Sequence, residues 1–418
     1  MNVLWITNTI FPAPSKVLGI PAPVFGGWIY AMVMQVAASP NIRLAVATAY
    51  SGNKLETYDI DGVIYYLIPA KSITVYQKDI ESYWRMVCNE FKPEVVHIHG
   101  TEYPPGLACM RACPGLKYVV SIQGLVEVIS RYYYGGISTW DILKYITFRD
   151  IVRADTLFHG KRAFERRGQF EKEYIRKASI VSGRTSWDYA HVKSINPAVH
   201  YHFCNRTLRD SFYTAKKWDI NNKTDFTIFL SQAGYPIKGL HQVLKAVALL
   251  KAEFPFVNVR VAGQNIITNS SFLEKIKLSG YGAYILSLLR RFNLRDKIQF
   301  TGPLTEDQMV AEYRNSHLFI CPSSIENSPN SIGEAQLLGV PTIGSYVGGV
   351  PDMIEHSETG LLYRFEEVEM LAVHIRRIFT DTRLAMHLSK NGIKAAEKRH
   401  DQIENLKKTI DIYRVIVK

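Results

Sequence analysis

The fold is decided by residues 225–264, which read "DFTIFLSQAGYPIKGLHQVLKAVALLKAEFPFVNVRVAGQ". The segments DFTIFLSQAG and VNVRVAGQ are apolar and rich in β-branched residues, which predicts two buried strands. The stretch between them, KGLHQVLKAVALLKAEF, repeats its apolar positions at helical spacing and predicts an amphipathic helix. A strand, a helix and a second strand in succession form the unit from which parallel sheets are built.

The same succession fills both halves of the chain. In the first half the predicted strands are MNVLWITNTI and residues 41–50, 93–100 and 116–124; in the second half DKIQFTGPL, HLFICPSS and VPTIGSYVGG follow. Two such series predict an α/β fold with two doubly wound, Rossmann-like parallel sheets facing each other across a cleft. We expect a first Rossmann-like domain over 1–210, a second over 211–400, and a C-terminal helix over 401–418 that packs back on the first domain.

Composition excludes several classes of protein. The 418 residues are 47% hydrophobic, which is ordinary for a globular chain. The formal net charge of +12 suits anionic partners. No apolar run reaches the 18 or more residues of a membrane helix, and no signal peptide is apparent, so we expect a cytoplasmic protein. Five cysteines without metal-ligand spacing predict no metal site, and no nucleic-acid-binding signature is present.

Ligands of doubly wound sheets bind at the carboxyl ends of the strands. The candidate residues are therefore those that directly follow predicted strands: Gly26, Gly27, His99, Gln123, Gln232, Lys238, Gln264 and Glu326.

A second group of candidates lies in "SSIENSPNSIGEAQLLGVPTIGS", residues 323–345. Ser328 is predicted as the N-cap of a helix that runs to Leu338. Glu326 and Glu334 would then lie roughly 12 Å apart, more than the about 5 to 9.5 Å that separates paired carboxylates acting on one glycosidic bond. One carboxylate for a sugar, helix amides for a diphosphate and one carboxylate for a ribose describe a nucleotide-sugar site.

The segment ENSPNSIGE followed by LLGVPTIGSYVGGVPD resembles the E-x7-E signature of family 4, the retaining GT-B glycosyltransferases. FGGW, VVHIHG, SIQGL, KGL, VAGQ, FTGPL and ETGLLY occur in the order that this family shows. The resemblance implies metal-independent, retaining transfer of a sugar from a nucleoside diphosphate sugar, with uridine as the common base and no cofactor. It further implies that domain 1–210 is the acceptor side and domain 211–400 binds the nucleotide-sugar. The implied acceptor is a saccharide or lipid-linked saccharide in bacterial surface polysaccharide synthesis.

The resemblance also assigns roles to individual residues. Glu326 would orient the donor sugar, Lys238 would neutralise the leaving diphosphate, and Glu334 would bind the ribose. Further donor contacts are expected from Gly26, Gly27, Gln232, Gln264, Asn327, Ser328, Asn330 and Ser331. His99 and Gln123 would contact the sugar or the acceptor, whereas His97, two positions away on the same strand face, is expected to be structural.

Two positions depart from the family pattern. Gln232 stands where many members have an arginine, and Gln123 where they have a histidine, so Gln123 cannot act as a general base. Arg184, Arg206 and Arg209 are candidates to replace the missing charge, although each is expected on the surface. Two other functions stay open: a nucleotide-sugar epimerase, and a non-catalytic nucleotide- or polysaccharide-binding protein.

The stretch ISRYYYGGISTWDILKYITFRD, residues 129–150, is rich in aromatic residues and precedes the basic run 161–184. It fits either a platform against an anionic membrane surface or core aromatics beside a solvated helix face. The interleaved Glu165, Glu171 and Glu173 favour the second interpretation.

Overall fold

The computed structural model describes residues 1–21, 27–267 and 276–418. The chain forms two compact units, each with its own sheet. Unit 1 comprises residues 1–128, 164–207 and 400–418, and unit 2 comprises residues 129–163 and 208–399.

The elements of the described residues are numbered here in chain order. The strands are β1 (Asn2–Thr7), β2 (Arg43–Tyr50), β3 (Glu56–Ile60), β4 (Val63–Pro69), β5 (Val95–His99), β6 (Tyr118–Ser121), β7 (Ile180–Gly183), β8 (His200–Phe203), β9 (Thr227–Leu230), β10 (Asn258–Val261), β11 (Ile298–Phe300), β12 (Leu318–Cys321), β13 (Thr342–Ser345) and β14 (Leu361–Tyr363).

The helices are α1 (Pro12–Val17), α2 (Gly27–Ala37), α3 (Ile80–Phe91), α4 (Pro105–Ala112), α5 (Val126–Arg131), α6 (Thr139–Lys144), α7 (Phe148–Val152), α8 (Leu157–Lys177), α9 (Ser186–Ile195), α10 (Asp210–Thr214), α11 (Leu240–Leu250), α12 (Gly280–Arg291), α13 (Glu306–Asn315), α14 (Asn330–Leu338), α15 (Val368–Thr380), α16 (Thr382–Arg399) and α17 (Gln402–Val417).

Unit 1 is built on a sheet whose strand order, within the described residues, is β3-β4-β2-β1-β5-β6-β7-β8. The strands pair in parallel except β3 with β4, which are antiparallel. Successive residues of β1 enter different cores: Leu4 and Ile6 pack with α3 and α4, whereas Val3 and Trp5 pack with α2 and α17. Helices therefore cover both faces of the sheet, which explains why its strands are apolar on both sides.

Unit 2 contains an all-parallel sheet with the order β11-β10-β9-β12-β13-β14 among the described residues. The chain moves outward from β9 in one direction through β10 and β11, and then in the other through β12, β13 and β14. The switch point, where ligands bind in open sheets of this kind, thus lies between β9 and β12. The predicted fold class of two parallel-sheet α/β domains is confirmed.

The sequence prediction missed several elements of unit 1, among them helix α1 and strands β7 and β8. It also missed the β3–β4 hairpin, which closes through Asp61 and Gly62 at φ values of 52° and 76°. Asp-Gly with both residues at positive φ is the signature of a tight hairpin turn, so this signal was present in the sequence.

Residues 129–163 lie in unit 2, although the predicted boundary assigned them to a first domain over 1–210. Ile137 and Ile142 belong to the unit 2 core, the backbone carbonyl of Gly135 bonds to His241 at 2.8 Å, and Asp150 accepts a 2.8 Å bond from the amide of Gly280. These contacts join segments far apart in sequence, which a linear boundary cannot represent. Residues 400–418, which contain α17, lie in unit 1, where Tyr413 accepts a 2.9 Å bond from Trp5.

The expectation that the aromatic residues of 129–150 are core residues is wrong for three of them. Tyr132 is 46% exposed, Trp140 is 75% exposed and Phe148 is 71% exposed. The basic run 161–184 was expected to form a solvated helix face. This expectation is wrong for Glu171, which is fully buried in unit 1. Among the described residues no helix has the length and apolar character needed to cross a bilayer.

Candidate active site

An ion pair occupies the switch point of unit 2. Lys238 lies in the loop after β9 and Glu326 in the loop after β12, and Lys238 Nζ is 2.5 Å from Glu326 Oε1. The hydroxyl of Ser323 donates a 2.9 Å hydrogen bond to the same carboxylate oxygen. The two residues predicted for the reaction therefore meet at the edge of the sheet where a ligand is expected.

Backbone contacts between these loops hold the pair. The Ser324 amide bonds to the Ile237 carbonyl at 2.8 Å. Gly239 adopts φ +69°, and a Cβ there would lie 1.8 Å from the carbonyl oxygen of Pro322. Only glycine fits this left-handed position at such close approach, which explains the Lys-Gly pair in the sequence.

A third loop, after β13, supports Glu326 from its backbone. The Gly349 amide bonds to the Glu326 carbonyl at 3.0 Å, and a Cβ at Gly348 would lie 1.9 Å from that oxygen. The Gly-Gly pair thus lets the chain pass closely beside Glu326, and its role in positioning was not recognised from the sequence.

The electrostatics of the pair keep the lysine charged. Burial opposes the positive charge of Lys238, but the Glu326 carboxylate outweighs this effect and raises the pKa of Lys238 above its ordinary value. The ring of Tyr235 also lies 5.8 Å from Lys238 Nζ, within cation–π range. A permanently charged ammonium group at the switch point suits a negatively charged ligand or leaving group.

Helix α14 begins next to this pair. It starts at Asn330 with Pro329 in extended conformation as the N-cap, whereas Ser328 was predicted as the N-cap. The prediction is wrong by one residue, because the Ser328 hydroxyl points to the Met353 sulfur at 3.4 Å instead. Within the described residues the N-cap makes no side-chain hydrogen bond, so the helix start presents amides to a ligand. The helix ends at Leu338 as predicted, and Gly339 follows it with a φ of +80°.

Glu334 lies inside α14 and is buried. Arg209 forms an ion pair with its Oε1 at 2.9 Å, and the Tyr313 hydroxyl donates to its Oε2 at 3.3 Å. Burial raises the pKa of Glu334, and Arg209 lowers it in part. Arg209 was expected on the surface, but its side chain is only 20% exposed; this expectation is wrong.

The other donor candidates differ in accessibility. Gln232 and Gln264 are exposed, Asn330 and Ser331 are half-buried, and Asn327 and Ser328 are buried. Gly26 lies outside the described residues, and Gly27 is the first residue of α2.

A polar cavity of about 600 Å³ lies within unit 2, beside the Lys238 loop. Its walls include Gly234 and Tyr235 from the loop after β9, Gln264 from the loop after β10, and Arg149 and Asp150 from α7. Of these residues only Gln264 was predicted. The others lacked a motif, although the sequence Thr147-x-x-Asp150 is a capping box that marks the start of α7.

Comparison with known proteins begins with a family model. Residues 212–395 match the model described as "Glycosyl transferases group 1". Unit 2 carries a glycosyl transferases group 1 domain. Lys238, Glu326 and Glu334 all lie inside the matched residues, as does Gln264, and Arg209 lies just before them.

Curated relatives match the group 1 domain over part of their length. The chain is 28% identical to N-acetyl-alpha-D-glucosaminyl L-malate synthase of Bacillus anthracis over 29% of the chain and 31% of the relative. The chain thus spans about a third of the length of such relatives.

Solved structures match the fold over nearly the whole chain. Sucrose-phosphate synthase from Thermosynechococcus elongatus has a TM-score of 0.72 at 16% identity and covers 100% of this chain and 99% of its own. Anabaena HepE in complex with UDP-glucose has a TM-score of 0.65 at 14% identity, and the match covers 99% of this chain and 100% of HepE. At these identities both similarities concern the fold alone. The residues that match the group 1 model lie in unit 2.

His99 ends β5 at the switch point of unit 1, outside the group 1 domain. It is buried, and its ring lies 3.8 Å from that of His97 and 4.0 Å from that of Trp5; the predicted shared face is confirmed. Burial lowers the pKa of His99 well below its ordinary value, so the imidazole is neutral. Its Nε2 is among the buried atoms without a hydrogen-bond partner in the described residues.

Gln123, the other candidate of unit 1, is held by its neighbours. Its side-chain amide donates to the His99 carbonyl at 3.0 Å, and Arg184 donates to its backbone carbonyl at 2.8 Å. Arg206 is buried, and burial lowers its pKa well below the ordinary value. The expectation of a surface position is therefore wrong for Arg206 as well.

Within the described ranges, no group of three or more His, Cys, Asp or Glu side chains is placed to hold a metal ion.

Proposed function

We propose that the protein is a retaining glycosyltransferase that moves a sugar from a nucleoside diphosphate sugar, expected to be a UDP-sugar, to a saccharide or lipid-linked saccharide acceptor. The observation that carries the proposal is the Lys238–Glu326 ion pair at the switch point of unit 2 beside the start of α14. The group 1 domain match over the same residues supports the reaction class. The complexes of HepE with UDP-glucose and with UDP and glucose suggest the nucleotide.

In this proposal each group acts on a different part of the donor. The diphosphate lies at the helix start, where the amides of Asn330 and Ser331 and the helix dipole favour negative charge. Lys238 neutralises the charge that grows on the leaving diphosphate as the sugar bond breaks. Glu334 accepts hydrogen bonds from the ribose hydroxyls, and Glu326 orients the sugar.

We also propose that the transfer is retaining and needs no metal ion. A fixed ammonium group and helix amides supply the positive charge that a metal ion would otherwise provide. Gln123 cannot act as a base, and His99 is a weak base because of its lowered pKa. We therefore propose that the leaving phosphate accepts the proton of the acceptor hydroxyl on the face where the new bond forms.

The acceptor is proposed to belong to bacterial surface polysaccharide synthesis, with peripheral contact between the protein and an anionic membrane. His99 and Gln123 remain candidates for contact with the sugar or the acceptor.

Two substitutions test the active site. Glu326→Gln and Lys238→Ala should each keep the fold and reduce transfer by roughly 10² or more, the scale of losing a main electrostatic group. Release of UDP from a UDP-sugar with acceptor measures turnover, and circular dichroism checks the fold. The matched control is the exposed ion pair of unit 2 between Arg376 and Glu253, where Arg376→Ala and Glu253→Gln should leave turnover unchanged. Full turnover in both active-site variants would disprove the assignment.

A further inference from the structure

Two short helices of unit 2, separated by three residues, carry five exposed apolar side chains. The set is 51% to 75% exposed and is called here the α6–α7 surface; it consists of Trp140, Leu143, Phe148, Ile151 and Val152. Large apolar side chains exposed singly are normal, but several on adjacent helices mark an interaction surface.

The inner sides of both helices are fixed to unit 2, so the outward direction of these side chains is built into the fold. Ile142 of α6 is buried in the core, and the ring of Tyr145 packs against that of Tyr284 at 5.6 Å. On α7, Asp150 is buried, caps its own helix together with Thr147, and binds the Gly280 amide at 2.8 Å. Because these contacts hold the inner sides of α6 and α7 against unit 2, the apolar residues on their other sides face solvent.

Basic residues flank the α6–α7 surface. Lys144 follows Leu143 at the end of α6 and Arg153 follows Val152 at the end of α7, and both are exposed. Over residues 129–163 the sequence has six Lys and Arg against three Asp and no Glu. Of these acids, Asp150 is paired with Arg149 at 3.1 Å, and Asp155 pairs with the same arginine at 3.0 Å.

We propose that the α6–α7 surface inserts into the headgroup region of an anionic lipid bilayer. Tryptophan and phenylalanine on short helices suit the boundary between headgroups and acyl chains, and flanking cations suit anionic lipid. A second copy of the chain is the less favourable occupant, because a two-fold interface places the same patch against itself. Lys144 and Arg153 would then face like charges instead of the negative headgroups that complement them.

The inference rests on the proposed function only where it explains why the protein would have such a surface. Helix α7 presents Phe148, Ile151 and Val152 to solvent, whereas Arg149 and Asp150 of the same helix line the 600 Å³ cavity beside the Lys238 loop. A bilayer bound at this helix places a lipid-linked acceptor next to the cavity. The acceptor class assigned by this geometry is therefore a saccharide on a lipid carrier rather than a free sugar.

Vesicle binding tests the surface without any sugar donor. The full chain is sedimented with vesicles of phosphatidylglycerol and phosphatidylcholine, and with vesicles of phosphatidylcholine alone. The double variant Trp140→Ser/Phe148→Ser should weaken binding to the anionic vesicles by at least about tenfold, because each aromatic side chain loses its burial in lipid. The charge-reversal variant Lys144→Glu/Arg153→Glu should do the same, and wild-type binding should fall as salt rises.

Phe256→Ser is the matched control, since Phe256 is an equally exposed aromatic residue of unit 2, at 80%, outside the α6–α7 surface. It should bind vesicles like the wild type. Lack of wild-type binding to anionic vesicles, or equal binding by the aromatic double variant, would overturn the proposal. So would a wild-type dimer in analytical ultracentrifugation that the double variant converts to monomer, because the surface would then be an interface between copies.

Turnover with a water-soluble acceptor separates this inference from the proposed function. The double variant should keep that turnover while losing vesicle binding. Loss of turnover in Glu326→Gln with intact vesicle binding would support the active site independently, and turnover without wild-type vesicle binding would defeat the surface proposal alone.

Discussion

Arg209 and Glu334 show how one pair of residues decides the local energetics of the candidate site. A buried carboxylate is costly unless a cation or hydrogen bonds compensate it. Glu334 has both an arginine at 2.9 Å and the hydroxyl of Tyr313 at 3.3 Å. The residue that balances this charge lies 125 positions away in sequence, and no motif identified it as the partner.

The pair predicts an asymmetric response to mutation. Arg209→Ala should lower the free energy of unfolding by about 3 kcal/mol, because it leaves the Glu334 carboxylate buried without its cation. The double variant Arg209→Ala/Glu334→Gln should recover part of this loss, since a neutral amide still accepts the Tyr313 hydrogen bond. Urea unfolding of the ligand-free protein measures both, and equal loss in the two variants would refute the pairing.

Glu171 predicts a pH dependence of stability in unit 1. Its carboxylate is buried and accepts bonds from the amides of Val126 and Glu127, at 3.1 and 2.9 Å, and from Thr101. Burial dominates and raises its pKa to about 8. Between pH 4.5 and 8 the unfolded chain therefore releases a proton that the folded chain retains, so the free energy of unfolding should fall as the pH rises.

The test compares wild type with Glu171→Gln, which has no proton to lose. The stability of the wild type relative to this variant should decrease from pH 5 to 8, by up to about 1.4 kcal/mol per pH unit. Glu173→Gln is the control on the same helix. The hydrogen-bonded guanidinium of Arg111 holds the pKa of Glu173 below its ordinary value, so its contribution is constant over this range. A flat difference for Glu171→Gln would contradict the buried, protonated carboxyl.

At the scale of elements, the loops at the switch point are shaped by glycines. The Lys-Gly and Gly-Gly sequences allow the loops after β9 and β13 to approach the loop after β12. Local sequence marked helices α11 and α14, which follow the loops after β9 and β12, and it marked the end of α14 at Leu338. It placed the start of α14 one residue too early, because the Ser328 side chain has a tertiary partner that competes with capping.

Gly239→Ala tests the close approach of two loops. The new Cβ meets the Pro322 carbonyl in a left-handed backbone conformation, so the variant should lose more than about 3 kcal/mol of stability or shift Lys238 and abolish turnover. Gly302 also has positive φ, at +78°, but a Cβ there meets nothing within 4 Å. Gly302→Ala should cost only about 1 kcal/mol and retain turnover; thermal unfolding and UDP release distinguish the two. Equal effects would show that strain, and not the loop contact, matters at Gly239.

At the scale of the whole molecule, donor binding should appear as stabilisation of the folded chain. A ligand that binds only the native state at 100 times its Kd adds about 2.7 kcal/mol. We expect a UDP-sugar to raise the melting temperature more than the corresponding GDP-sugar, and Glu334→Gln to reduce the rise. Glu358→Gln, an exposed carboxylate of unit 2, should respond like the wild type. A panel in which no nucleotide sugar shifts the melting temperature would refute the donor assignment.

The sequence by itself determined the two parallel-sheet α/β domains and the position of Lys238 and Glu326 after their strands. These properties depend on local periodicity and on turn residues, which each segment carries in itself. Only the tertiary structure decided that residues 129–163 join unit 2, that Arg209 pairs with Glu334, that Arg206 is buried, and that Trp140 and Phe148 face solvent. Each of these depends on contacts between residues distant along the chain, and burial is a property of the packed molecule that no single segment encodes.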